Sequence, residues 1–189
     1  IADKLETLIG IWGVGLAPTG DKDPYALRRH ALGICRLLLE KNLPLNLPDL
    51  IDLAKRQFPQ KEVQDKAVTS EIYDFIIDRM RAYLRDQSVA GKPFTSAEID
   101  AVLSQSPSQI HDLIERLTAL REFNALPEAT QLAAANKRIS NILKKNTIAI
   151  PPTCSNTLLQ VPAEIAVYKT LEEVSPALTI AYEKRQFVE

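Results

Sequence analysis

Proline in this chain falls where helices begin. Asp23-Pro24, Leu47-Pro48, Ser106-Pro107, Leu126-Pro127 and Val161-Pro162 each stand ahead of a run with helical periodicity. The first helical turn is the part of a helix in which a missing N–H costs nothing. Five helix starts follow. Thr95-Ser96-Ala97-Glu98 adds a sixth, because Thr and Glu three residues apart each satisfy one orphan amide. A long helix is expected from about Thr69 to Asp86, with Ile72, Phe75, Ile76, Met80, Tyr83 and Leu84 on its buried face. Pro176 is expected to kink or break the last helical segment. Period-two alternation is confined to the short Thr147 to Ile150, ahead of Pro151-Pro152. The fold class expected is therefore all-α, a multi-helix bundle of roughly eight to ten helices with no significant sheet. Ser88 to Pro93, with Gly91, is the best linker, dividing two packed helical modules at 1–88 and 89–189.

Composition narrows the class. Hydrophobic residues make up 46% and charged residues 25% of 189, as in globular chains. No apolar run approaches the roughly 18 residues of a membrane span, and the N-terminus lacks a basic region followed by an apolar one. A cytoplasmic protein without a membrane partner is expected. Cys35 and Cys154 are too few and too far apart for a disulfide framework or a zinc site. The chain opens on Ile1 inside a helical pattern and stops at Gln186-Phe187-Val188-Glu189 without a helix-ending signal. It reads as a piece of a longer protein, with the second module incomplete at its C-terminus.

Catalytic and phosphate-binding motifs fail in detail. Four of the six glycines fall between Gly10 and Gly20. A P-loop, however, needs a preceding strand and Gly-Lys followed by Ser or Thr, whereas Gly20 is followed by Asp21. The dinucleotide pattern fails at Pro18, where a third Gly belongs. The segment is expected to be a turn, with Asp23 capping the next helix. His111-Asp112 lacks the further His and Asp of a phosphohydrolase metal site, and no Ser or Cys sits in a nucleophile motif. No catalytic residue, no metal ligand and no cofactor of this segment's own is expected.

One stretch carries charge of a single sign. From Ala129 to Ala163 there is no Asp or Glu, while Lys137, Arg138, Lys144 and Lys145 fall there. The whole chain carries a net charge of −1, so any attraction for nucleic acid must be local. On a helix wheel Lys137, Arg138, Asn141, Lys144 and Lys145 occupy one arc of about 120°. Leu132, Ala135, Ile139, Ile142 and Leu143 occupy the opposite side, which is expected to be core. The plain reading is a solvated face with two lysines favouring the helix C-terminus. Beside it stands a second reading, raised by the absence of accompanying acids, in which the face meets RNA phosphates, with Asn136 and Asn141 as hydrogen-bonding groups. Arg29 and Arg36 form a second, weaker stripe that also contains Glu40.

Two segments resemble the beta subunits of bacterial heterotetrameric glycyl-tRNA synthetases. They are ADKLETLIGIWGVGLAPTGDKDPYALRRHALGICRLLLEKNLPLNL at 2–47 and LAAANKRISNILKK at 132–145, and the intervening EIYDFIIDRMRAYLRD is also similar. The resemblance implies the end of an HD-like region, in which Asp3 stands at the place of a distal metal ligand, followed by the first part of a DALR-type anticodon-binding domain. It further implies partnership with tRNA(Gly) and with the alpha subunit of an α2β2 assembly, ATP and Mg being used on that alpha subunit. Two alternatives stay open: a fragment of an HD-type metal-dependent phosphohydrolase, and a purely structural assembly module.

Overall fold

The computed structural model describes residues 1–59, 63, 66–145 and 158–184. Among them are eight helices: α1 (Ala2–Gly13), α2 (Leu27–Glu40), α3 (Leu47–Lys55), α4 (Lys66–Arg85), α5 (Ser96–Leu103), α6 (Leu113–Asn124), α7 (Pro127–Lys145) and α8 (Pro162–Glu183). The only sheet among the described residues is a hairpin of two-residue strands, β1 (Ser88–Val89) and β2 (Lys92–Pro93). Its turn places Ala90 and Gly91 both at positive φ, 52° and 73°, the backbone a tight two-residue hairpin requires. The chain divides into two compact units, Ile1–Thr118 and Ala119–Glu189. The 88/89 boundary expected from sequence thus falls inside the first unit, because α5 beyond the hairpin packs back on α4.

The first unit is built on α4. Ile72, Ile76, Met80 and Leu84 recur every fourth residue and are fully buried, so one stripe of the helix faces inward. Helices α1, α2, α3 and α5 all pack on α4, and α1 also meets α2 and α3. The apolar row of α2, Leu27, Ala31, Ile34 and Leu38, closes the core against Leu5, Leu8 and Ile9 of α1. Trp12 stacks at a tilt on Phe75, with ring centroids 5.1 Å apart, and its indole N–H donates to Glu71 Oε2 at 2.8 Å. At Gly13 a Cβ would overlap Val63, so this position admits only glycine at the present spacing.

Local chemistry explains most helix ends. Asn46 accepts the amide of Asp49 ahead of α3, with Pro48 in the first turn. Thr95 and Glu98 form the reciprocal cap expected for α5, at 3.2 and 2.7 Å. Asp23 caps α2 as expected, its two carboxylate oxygens accepting the amides of Leu27 and Arg28. The helix nevertheless begins at Leu27 and not at Pro24, since Ala26 takes a left-handed conformation with φ 54°.

Two expectations are corrected. No helix starts at Pro107. Ser106 is left-handed, Asn46 and Gln109 form an isolated β-bridge, the Leu47 amide donates to the Ser108 carbonyl, and the Tyr73 hydroxyl donates to the Pro107 carbonyl at 3.0 Å. These distant partners hold 107–110 out of a helix, and α6 begins only at Leu113. Of the kink or break expected at Pro176, the break does not occur, for α8 runs through it to Glu183. The carbonyl left without its amide partner lies on an exposed helix where water can reach it. The expected strand at Thr147 to Ile150 lies outside the described residues.

Candidate nucleic-acid interface

Helix α7 starts on Pro127, carries Glu128 in its first turn, runs through the strong helix formers Ala133 to Ala135, and ends on Lys144 and Lys145. Negative charge at the start and positive charge at the end both favour the helix dipole. Lys137, Arg138, Asn141 and Lys145 line one open face, together with Ala134 and Ile142. Lys144 is exposed beside that face. Among the described residues none of these four cations forms an ion pair. A single-sign, unpaired face of this kind attracts phosphates.

The opposite face corrects an expectation. Leu132, Ile139, Ile142 and Leu143 are 60, 55, 59 and 47% exposed, and Ala135 is exposed too, so this side of α7 is apolar surface and not core. No residue of α8 is buried either. The periodicity correctly gives an amphipathic helix, but burial needs a second apolar surface, and none covers this face among the described residues.

Arg29 and Arg36 stand on α2 in unlike surroundings. Arg36 Nε donates to Glu40 Oε1 at 2.7 Å, and the Tyr83 hydroxyl of α4 donates to the same oxygen at 2.8 Å. The bond from Arg36, then that from Tyr83, holds the Glu40 carboxyl below its ordinary range. Arg36 is thereby neutralised in place. Arg29 has no such partner and lines a groove between α2 and α4 with Arg28 and Arg79. Arg28 adjoins Arg29 in sequence, while Arg79 escaped sequence reading because only the packing of α4 on α2 brings it to them.

Of the acid candidates, Asp112 is engaged by helix α6. Asp112, with a side chain 1% exposed, accepts Arg116 Nε at 3.0 Å and Nη2 at 2.9 Å. A carboxylate held by a bidentate guanidinium is poorly placed to ligate a metal. Asp3 is exposed, and its main-chain carbonyl accepts the Thr7 hydroxyl. Among the described residues no group of three or more His, Cys, Asp or Glu side chains is arranged to hold a metal ion, and no helix is long and apolar enough to cross a membrane.

Comparison with known proteins accounts for nearly the whole chain. Residues 1–104 match the family model described as glycyl-tRNA synthetase beta subunit. The chain is 48% identical to the glycine–tRNA ligase beta subunit of Polaromonas naphthalenivorans over 183 residues, 97% of this chain and 25% of that protein. It is 46% identical to that of Ralstonia nicotianae, covering 99% of the chain and 26% of the relative. With that of Nitrosomonas eutropha the identity is 44%, covering 100% and 27%. The chain thus spans about a quarter of the length of the curated relatives it matches.

Proposed function

From the fact that the chain belongs to the glycyl-tRNA synthetase beta subunit family, we propose that it serves a cytoplasmic glycine–tRNA ligase as a binding and assembly part. In this reading it contacts tRNA(Gly) and joins an alpha subunit, on which ATP, Mg and glycine react. The carrying observation is the acid-free face of α7, where Lys137, Arg138 and Lys145 converge with Asn141. Support also comes from the glycine-rich segment, which forms the end of helix α1 and a turn with Gly15 and Gly20 at positive φ, not a phosphate cradle. The acid at Asp21 follows directly, and it opposes phosphate there.

Salt dependence tests the reading, because each phosphate neutralised releases counterions. In the complete assembly of alpha and beta subunits, Lys144→Ala/Lys145→Ala lowers the slope of log affinity for tRNA(Gly) against log salt by roughly 1.4 to 1.8 units. An unchanged slope removes the assignment and leaves α7 an assembly surface or a solvated one.

A further inference from the structure

We propose that the groove between α2 and α4 is a second phosphate-backbone site, in which Arg28, Arg29 and Arg79 hold successive phosphates of an RNA strand. The proposal rests on the tRNA-binding reading above and adds a site on the first unit, apart from the α7 face.

The groove is lined by three guanidinium groups and one carboxylate, Asp86, with Leu32 and Tyr83 between them. Two of the three arginines are held before any ligand arrives. Arg28 donates through Nη2 to the Gly20 carbonyl, and Arg79 lies over the Phe75 ring, 5.8 Å from its centroid. A cation stacked on an aromatic face loses rotamer freedom without losing its charge. The Nε of Arg79 is turned inward and meets no acceptor, and neither Arg29 nor Arg79 forms an ion pair among the described residues. The contrast with Arg36 on the same helix is informative. There Glu40 and Tyr83 complete a neutral network, whereas the groove lining has three guanidinium groups against Asp86 alone, the Asp23 carboxylate being taken up by the amides that begin α2.

Charge and guanidinium geometry together favour a phosphate strand as the occupant. A side-chain carboxylate from a protein partner brings one negative charge, while three arginines against Asp86 leave two to be neutralised. An RNA strand brings one charge per nucleotide, and the planar guanidinium fork matches phosphate oxygens two at a time. Such contacts fix position and register and carry no base preference.

The test is binding of tRNA(Gly) transcript to the complete alpha–beta assembly across a salt series. Arg29→Ala lowers the slope of log affinity against log salt by roughly 0.7 to 0.9, and Arg29→Ala/Arg79→Ala by about twice that. Arg36→Ala, whose charge Glu40 already neutralises, leaves it unchanged. An unaltered slope in Arg29→Ala overturns the proposal, as does loss of alpha-subunit association at unaltered slope, which would assign the groove to a protein carboxylate. Arg29 is exposed, so its single variant decides the matter even where removing Arg79 disturbs folding. Lys144→Ala/Lys145→Ala in the same series reads α7 separately. A drop there without one at Arg29 sinks the groove alone, and a drop in neither sinks both readings.

Discussion

The ion pair of Asp112 and Arg116 offers a direct test of how the first unit is held together. Removing one partner of a fully buried pair costs about 3–5 kcal/mol, because the other charge is left without compensation. An exposed pair is worth at most about 1 kcal/mol. Asp112 is 1% exposed and Arg116 25%, so water reaches part of the guanidinium once the carboxylate is gone. Asp112→Ala therefore falls near the lower end of the buried range, at about 3 kcal/mol. For a chain of this length that corresponds to a Tm lowered by roughly 6–12 °C, measured by circular dichroism on heating. Asp112→Asn, which retains one acceptor and the shape, loses less. Replacing both groups, Asp112→Leu with Arg116→Met, recovers part of the loss, since the two charges of the pair are then removed together. A loss below about 1 kcal/mol for Asp112→Ala would mean the pair behaves as a surface contact and refute the argument from burial.

Ile76→Ala, at the centre of α4 and fully buried, costs about 2–5 kcal/mol in urea denaturation through lost transfer energy and the cavity left behind; a cost under 1 kcal/mol would show that the core collapses around it. Burial pushes the Cys35 thiol up to about 12, so at pH 8 only roughly one molecule in ten thousand holds the thiolate; in a Cys154→Ser chain, labelling by iodoacetamide should occur no faster than unfolding, and labelling that outruns unfolding contradicts the burial. The Glu40 carboxyl is held low by Arg36 and then by Tyr83, so its stabilisation is present above the ordinary carboxylate range and is lost as pH falls through the depressed folded value. Thermal melts of the parent chain and Glu40→Gln should accordingly differ at pH 7 and converge toward pH 3; a constant difference would show that charge is not its cause.

Local signals gave most of the helices, and non-local ones set the exceptions. The cap at Thr95 and the four-residue spacing of Ile72, Ile76, Met80 and Leu84 are complete within one segment of sequence, and both appear as read. Pro107 carried the same local signal as Pro127, yet only Pro127 begins a helix. The difference lies in Tyr73, Asn46 and Leu47, which capture the Pro107 segment from elsewhere in the chain. The cationic face of α7 was legible because the missing acids are a property of the sequence itself. Its apolar face was read as core because a wheel gives direction and no partner. For the α2 stripe, Glu40 was visible four residues from Arg36, but the hydroxyl of Tyr83 that completes the network, and the Arg79 that joins Arg29, belong to another helix.

The capture of the Pro107 segment also orders events in time. Asn46 and Gln109 stand far apart in the chain, and the Leu47 amide and Tyr73 hydroxyl wait on carbonyls that follow much later. Contacts of such long range close slowly, after the neighbouring helices have collapsed. On a ribosome the start of α3 is made before the segment that latches it, and the first unit is expected to be complete only once α6 has emerged. Weakening the latch, as by Tyr73→Phe, should then speed unfolding far more than it slows refolding.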